Sequence, residues 1–312
     1  MTDHRPGASP SPTSRPTGNP TPTPRPSSTP PPTPPPTPPP SNAVHVMVVM
    51  EENQGYSATQ SNCGTDNSYF CLLASEYASV GNWYGVTHPS LPNYLAITSG
   101  STQGCSSDSC GQDSAANLGE QLTQAGIPWT AYMETMPAAC DSNDSGQYAN
   151  KHNPFTHYSD LNGAVCGAHD LTYPGVSGLI SALDGSNAPD FAWITPNLID
   201  DMHDGTVADG NAWLEANIGP VLSSAWFTDY RSTVIITEDE NDAAPGGTCC
   251  SGQAAGGQIP ALILSSAARG RGLVNLTGDH YGTLRTIEEA FGLPLLGGAA
   301  SATNGDLSSL FG

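Results

Sequence analysis

The sequence predicts an α/β fold: a central, mostly parallel sheet flanked by helices and preceded by a disordered Pro/Thr-rich tail. Three observations carry this. Residues 44–50 and 233–237 are short, β-branched, nearly continuous apolar runs, the pattern of strands covered on both faces. Between them lie segments with apolar residues at helical spacing, such as Leu118, Leu122 and Ala125. Ahead of them, residues 1–42 hold 17 of the 29 prolines, interleaved with Thr and Ser, and show no apolar periodicity. Such a stretch cannot bury enough surface to repay ordering and reads as an extended linker. The remaining residues 43–312 are long enough for one domain with a large core.

The net charge of −21 excludes a broad nucleic-acid-binding face, since only five basic residues stand against 28 acidic ones beyond the tail. It suits a soluble acidic surface, or a metal site whose carboxylates are offset by cations. No apolar run approaches the roughly 18 residues a membrane-spanning helix needs. The first residues lack a basic region followed by an apolar core, so no export signal is visible. Eight cysteines in Gly- and Ser-rich loops without Cys-x-x-Cys zinc spacing nevertheless predict disulfides and an extracellular setting. The economical pairing is Cys63 with Cys71, Cys105 with Cys110, and Cys140 with Cys166. Cys249 and Cys250 form either a vicinal bridge or bonds to two other partners.

In chain order, the strand at 44–50 runs into Glu51, Glu52 and Asn53. Ligands of open α/β sheets bind outside the carboxyl ends of strands, so Glu52 and Asn53 are placed to hold a metal. A helix is expected over 68–80. In the stretch Thr87-His88-Pro89-Ser90-Leu91-Pro92-Asn93-Tyr94, Pro92 fits the first turn of a helix and Ser90 stands at its start. Ser90 is either a helix cap or a nucleophile whose target anion is favoured by free amides and the helix dipole. A loop over 101–113, a helix over 115–125 and a strand over 128–133 follow. Next comes an irregular segment with Lys151, the only lysine, beside His152. That pair is surface, or a phosphate clamp and proton donor. A strand over 190–195 leads to Asp200, Asp201, His203 and Asp204, an acidic loop or a ligand cluster. A helix is expected over 209–228. The strand at 233–237 ends in Glu238, Asp239 and Glu240. Two distant apolar strands thus both end in carboxylates, and neighbouring strands would converge these acids where a cation must offset their repulsion. A strand over 259–265 and a helix from His280 through Phe291 close the chain.

Taken together, Met50-Glu51-Glu52-Asn53, His88 through Tyr94, Lys151-His152-Asn153-Pro154, Asp201 through Asp204, Thr237 through Asn241 and the late His280 resemble a bacterial phosphoesterase family. That family includes acid phosphatases and phospholipases C of the alkaline-phosphatase-like superfold, and the resembling segments span nearly all of residues 44–296. The resemblance implies that Glu52, Asn53, Asp239 and Glu240, with Asp201 nearby, ligate a metal to which Ser90 is bound as nucleophile. It implies that Asn93 and Lys151 bind phosphate, and that His152 and His203 orient it or protonate the leaving alcohol. His280 would serve a second metal or the dephosphorylating water. Asp200 and His203 are three apart, where two-metal members have four, and Glu240 stands where they have His. The oxygen-rich set therefore suits Ca²⁺, Mg²⁺ or Mn²⁺ better than Zn²⁺.

The resulting expectation is a secreted, metal-dependent phosphomonoesterase acting on phosphate esters, including phosphoinositide headgroups, through a phosphoseryl intermediate. The alternatives are a phospholipase C or other phosphodiesterase on the same fold, and a noncatalytic metal-stabilised module held at the cell wall by the tail.

Overall fold

Residues 44–61, 63–66, 68–242 and 247–312 are described by a computed structural model of the chain. The expected linker at 1–42, and with it the wall-tether reading, lies outside the described residues. Among the described residues, eight strands make one sheet: β1 (Val44–Glu51), β2 (Ala78–Tyr84), β3 (Trp129–Met133), β4 (Asp170–Thr172), β5 (Phe191–Thr195), β6 (Arg231–Glu238), β7 (Gln258–Ser265) and β8 (Gly272–Asp279). Their order across the sheet is β4-β3-β5-β1-β6-β7-β2-β8. Only β7 runs against its neighbours, β6 and β2; every other adjacent pair is parallel.

Why β1 and β6 lie centrally follows from their composition. Side chains alternate across a strand, so a strand apolar at every position needs cover on both faces. Val46, Val48 and Met50 pack with Tyr94, Leu95, Leu284 and Ile287 on one side of the sheet. Met47 and Val49 pack with Leu73, Trp213, Leu214 and Trp226 on the other. The helices Ser90–Ser99 and His280–Phe291 cover the first face, and Tyr69–Glu76 and Val207–Val221 the second. Among the described residues, no helix is long and apolar enough to cross a membrane.

Three elements depart from expectation. The helix expected over 68–80 stops at Glu76, and the chain turns into β2, which inserts between β7 and β8. Gly81 and Asn82 interrupt the β-rich composition of that strand and conceal it in the sequence. The helix expected over 209–228 is two, Val207–Val221 and Ala225–Thr228, because Ser224 caps the second by accepting from the Phe227 amide. The edge strand β8 was not anticipated; its half-exposed alternation of Leu273, Asn275 and Thr277 with Val274 and Leu276 lacks a continuous apolar run. The cysteines pair as 63–71, 105–110 and 140–166, and Cys249–Cys250 is the vicinal bridge, so that alternative is decided.

Candidate active site

The register of β1 and β6 sets the site. Glu51 lies opposite Glu238, and the Asp239 amide donates to the Glu51 carbonyl at 3.0 Å, so the two chains leave the sheet side by side. Glu52 and Asp239 emerge together at the carboxyl edge, both fully buried. The loop after β5 joins them: the Glu52 amide donates to the Asp201 carbonyl at 2.8 Å.

Ser90 is the first residue of the helix Ser90–Ser99 and is 2% exposed. Its hydroxyl donates to Glu52 Oε2 at 3.1 Å, and the Tyr94 hydroxyl, one turn later, donates to Glu52 Oε1 at 2.6 Å. The helix thus grips one carboxylate at two points four residues apart. His152 stacks on the Tyr94 ring, with Nδ1 3.1 Å from Asp201 Oδ2 and Nε2 3.3 Å from Glu52 Oε1. Asp201 Oδ1 accepts from the His203 amide at 2.8 Å. Glu52, His152 and His203 bring potential ligand atoms within 4.8 Å of one another.

Burial holds the Glu52 carboxyl well above its ordinary range, with the nearby Asp239 and Asp201 pushing the same way. Burial likewise pushes Asp239 up to about 7, against the easing effect of the Asn53 amide, the Ser90 hydroxyl and the Glu240 amide. Asp201 is pushed up to about 8, again chiefly by burial. Burial lowers His152, and Lys151 and His203 add to the effect. Asp239 Oδ1 accepts from the Asn53 amide at 3.1 Å and the Glu240 amide at 2.7 Å, whereas Oδ2 is buried without a partner. An orphaned carboxylate oxygen beside a second buried carboxylate and a serine hydroxyl is a donor set that fits a hard divalent cation.

A family model described as the phosphoesterase family matches residues 63–294. The chain belongs to the phosphoesterase family. It is 31% identical over 261 residues to a phosphatidylinositol-3-phosphatase of Mycobacterium tuberculosis, covering 83% of this chain and 80% of that one. An acid phosphatase of Aspergillus fumigatus is 28% identical over 235 residues, covering 72% of this chain but only 51% of the fungal protein. A solved protein of the alkaline phosphatase superfamily from Vibrio parahaemolyticus superposes with a TM-score of 0.53 at 13% identity, over 80% of this chain and 66% of that chain. That likeness concerns the fold, and it agrees with the alkaline-phosphatase-like architecture expected. The protein is a phosphoric ester hydrolase.

The phosphoesterase places its other expected site residues as follows. Asn53 sits at the Asp239 carboxylate in a left-handed conformation (φ 65°) that Asn tolerates. Glu240 Oε2 accepts from Asn93 Nδ2 at 3.0 Å and lies 3.2 Å from His88 Nδ1. Asn93, expected on a phosphate oxygen, is engaged within its own turn. Its Oδ1 accepts from the Val86 and Thr87 amides, and its Nδ2 donates to the Thr87 and Pro89 carbonyls besides Glu240. His280, fully buried and lowered to about 4 by burial, donates Nε2–H to the Asp239 carbonyl. It fixes the backbone that carries Asp239. Lys151 Nζ lies 2.9 Å from His203 Nε2 and 3.3 Å from Asp108 Oδ2. A lysine can only donate, so His203 Nε2 accepts and its Nδ1 donates to Asp204 at 2.7 Å.

Tyr94 and Asp108 join the site without having been expected there from the sequence. Tyr94 stood in the quoted stretch, and its i+4 spacing from Ser90 was the available signal. Asp108 gave none, because a loop residue between two cysteines carries no periodicity.

Proposed function

We propose that this phosphoesterase is a secreted, metal-dependent phosphomonoesterase of acid-phosphatase type that attacks phosphate with Ser90 and passes through a phosphoseryl intermediate. One observation carries the reading: a serine hydroxyl at the first turn of a buried helix, bound to Glu52 beside the unpartnered Oδ2 of Asp239. Glu52, Asp239 and Ser90, with Asn53, Asp201 and Glu240 around them, would hold a divalent cation of the Ca²⁺, Mg²⁺ or Mn²⁺ kind. Bound there, the cation supplies charge to offset the carboxylates and favours the ionised serine.

The chain's own groups do the rest. Glu52 aims the Ser90 oxygen, and Tyr94 and His152 hold Glu52 from the other side. The Leu91 amide at the first turn and the helix dipole favour the phosphate oxygens. Lys151 supplies positive charge at the mouth of the site. The Ser90 oxygen bonds to phosphorus as the bond to the leaving alcohol breaks. The leaving alcohol takes up its proton at the mouth of the site, where Lys151 Nζ carries N–H donors 2.9 Å from His203 Nε2, which accepts from it and can return the proton. Water then cleaves the phosphoserine and regenerates Ser90. His152, 4% exposed and held between two carboxylates, positions rather than shuttles.

Four disulfides support an oxidising, extracellular setting. The phosphatase names of the two curated relatives support monoesters, with phosphoinositide headgroups among the substrates to try. The test compares hydrolysis of a nitrophenyl phosphate monoester and its bis-ester at pH 5 to 8 for wild type, Ser90→Ala and chelated protein. The expected result is monoester turnover that falls at least about a thousandfold on either treatment and returns when divalent metal is added back. Turnover of the bis-ester alone would move the assignment to a phosphodiesterase. Turnover of neither, with metal still raising the melting temperature, would leave a binding module.

A further inference from the structure

The first turn of the Ser90 helix offers few free amides. Of an α-helix's first residues, whose N–H groups find no partner within the helix, Pro92 has none to give. Leu91 is therefore the amide donor that directly follows the nucleophile. Its N–H donates to Asp108 Oδ1 at 3.1 Å, while Asp108 Oδ2 lies 3.3 Å from Lys151 Nζ. One carboxylate thus bridges the helix amide beside Ser90 and the only lysine of the chain. Both partners are donors on which the proposed function places a substrate phosphate.

We infer that Asp108 is a built-in anion that occupies part of the phosphate seat and must be displaced by substrate, so that it sets the affinity of the site for phosphate. This rests on the phosphatase reading and adds a residue to it. Three features let Asp108 act this way. A carboxylate presents two oxygens to two donors, as one edge of a phosphate group does. Its side chain is about a third exposed, so it can leave without opening the core. It rides on turns within the loop closed by Cys105–Cys110, with no helix or strand between the helices Ser90–Ser99 and Leu118–Ala125. The bridge keeps it beside the site after it leaves. Asp108 is accordingly a positioning residue that governs binding; it makes no bond to phosphorus.

The consequence has a definite sign. Removing the carboxylate removes a competitor for Leu91 and Lys151 and a like charge near the phosphate. The Asp108→Asn protein, loaded with divalent metal, should bind inorganic phosphate about tenfold more tightly than wild type by titration calorimetry, the gain expected from one partly exposed ion pair and one helix-terminal contact. KM for nitrophenyl phosphate should fall by a similar factor, with kcat within about twofold unless phosphate release limits it. Asp108→Ala, which keeps no polar head, should move both quantities the same way and guards against a fold defect in the first variant. If instead Asp108 serves to orient Lys151 for substrate, phosphate binding weakens and KM rises in both variants, and the inference is overturned. Unchanged affinity in both overturns it equally. Phosphate binding to neither wild type nor variants would reject the phosphatase reading itself.

Discussion

Asp170 shows at the scale of one side chain how burial shapes this protein. It is fully buried, its Oδ2 accepts from Asn153 Nδ2 at 2.8 Å, and its Oδ1 has no partner. Burial raises its pKa to about 7. The folded state therefore holds the proton more tightly than the unfolded chain. Its contribution to stability is complete below the ordinary carboxylate value near 4 and is lost as pH rises to about 7. Asp170→Asn keeps the acceptor but cannot ionise, so its stability should fall less between pH 5 and pH 8 than that of wild type, by up to roughly 3 kcal/mol. Melting temperatures of the two proteins across that range check this, and parallel curves would refute it. At this scale the sequence was legible where strand grammar applies. Glu52 and Asp239 could be named because each follows an apolar run. The hydrogen bonds of Asn93 and Glu240 were not legible, because they depend on how the turn at 86–89 folds back on itself.

Among the elements, the Ser90 helix is fixed at both ends by backbone geometry. Gly100 closes it in the left-handed region (φ 71°), and its own carbonyl accepts from the Gly298 amide at 2.7 Å. A Cβ on Gly100 would fall 2.2 Å from the Leu296 carbonyl oxygen. Gly100→Ala should therefore cost about 1–3 kcal/mol, from the strained conformation and the displaced 296–298 segment. Denaturant unfolding would measure it, and a loss below about 0.5 kcal/mol would show that the segment yields freely. Five of the eight described strands announce themselves in the sequence, β1, β5, β6 and β7 by apolar runs and β3 less clearly, whereas β4, a three-residue strand, does not. β2 and β8 hid because Gly, Asn and half-exposed positions dilute their pattern, although together they carry the chain to Ser90 and to His280. An apolar run reveals a strand only when both its faces are covered.

Over the whole molecule the dominant fact is negative charge, −21 for the chain, part of it drawn inside. Glu51 and Glu238 are neighbours in register, nearly unexposed, and both are held well above the ordinary range by burial first and by nearby carboxylates next. The same holds across the sheet edge at Glu52 and Asp239. A cation entering there must displace protons, so its affinity should rise from pH 5 to about 7 by about tenfold per pH unit for each proton released. Calorimetric titration with Mn²⁺ in buffers of different ionisation heat would count those protons, and an affinity independent of pH would mean that the carboxylates are not the ligands. The α/β class and the converging acid-tipped strands were readable because they follow from hydrophobic pattern and topology. The closing of Asp108 onto Leu91 and Lys151 was not, since it joins three segments whose spacing in the sequence carries no period.

Catalysis as proposed for this phosphoesterase requires Ser90 to form a bond to phosphorus. We would quench the metal-loaded protein with acid during turnover of nitrophenyl phosphate and map phosphate on its peptides by mass spectrometry. Phosphate on Ser90, absent from Ser90→Ala and from chelated protein, is the predicted result. Steady turnover with no phosphate on Ser90, or with phosphate on His152 or His203 instead, would contradict it.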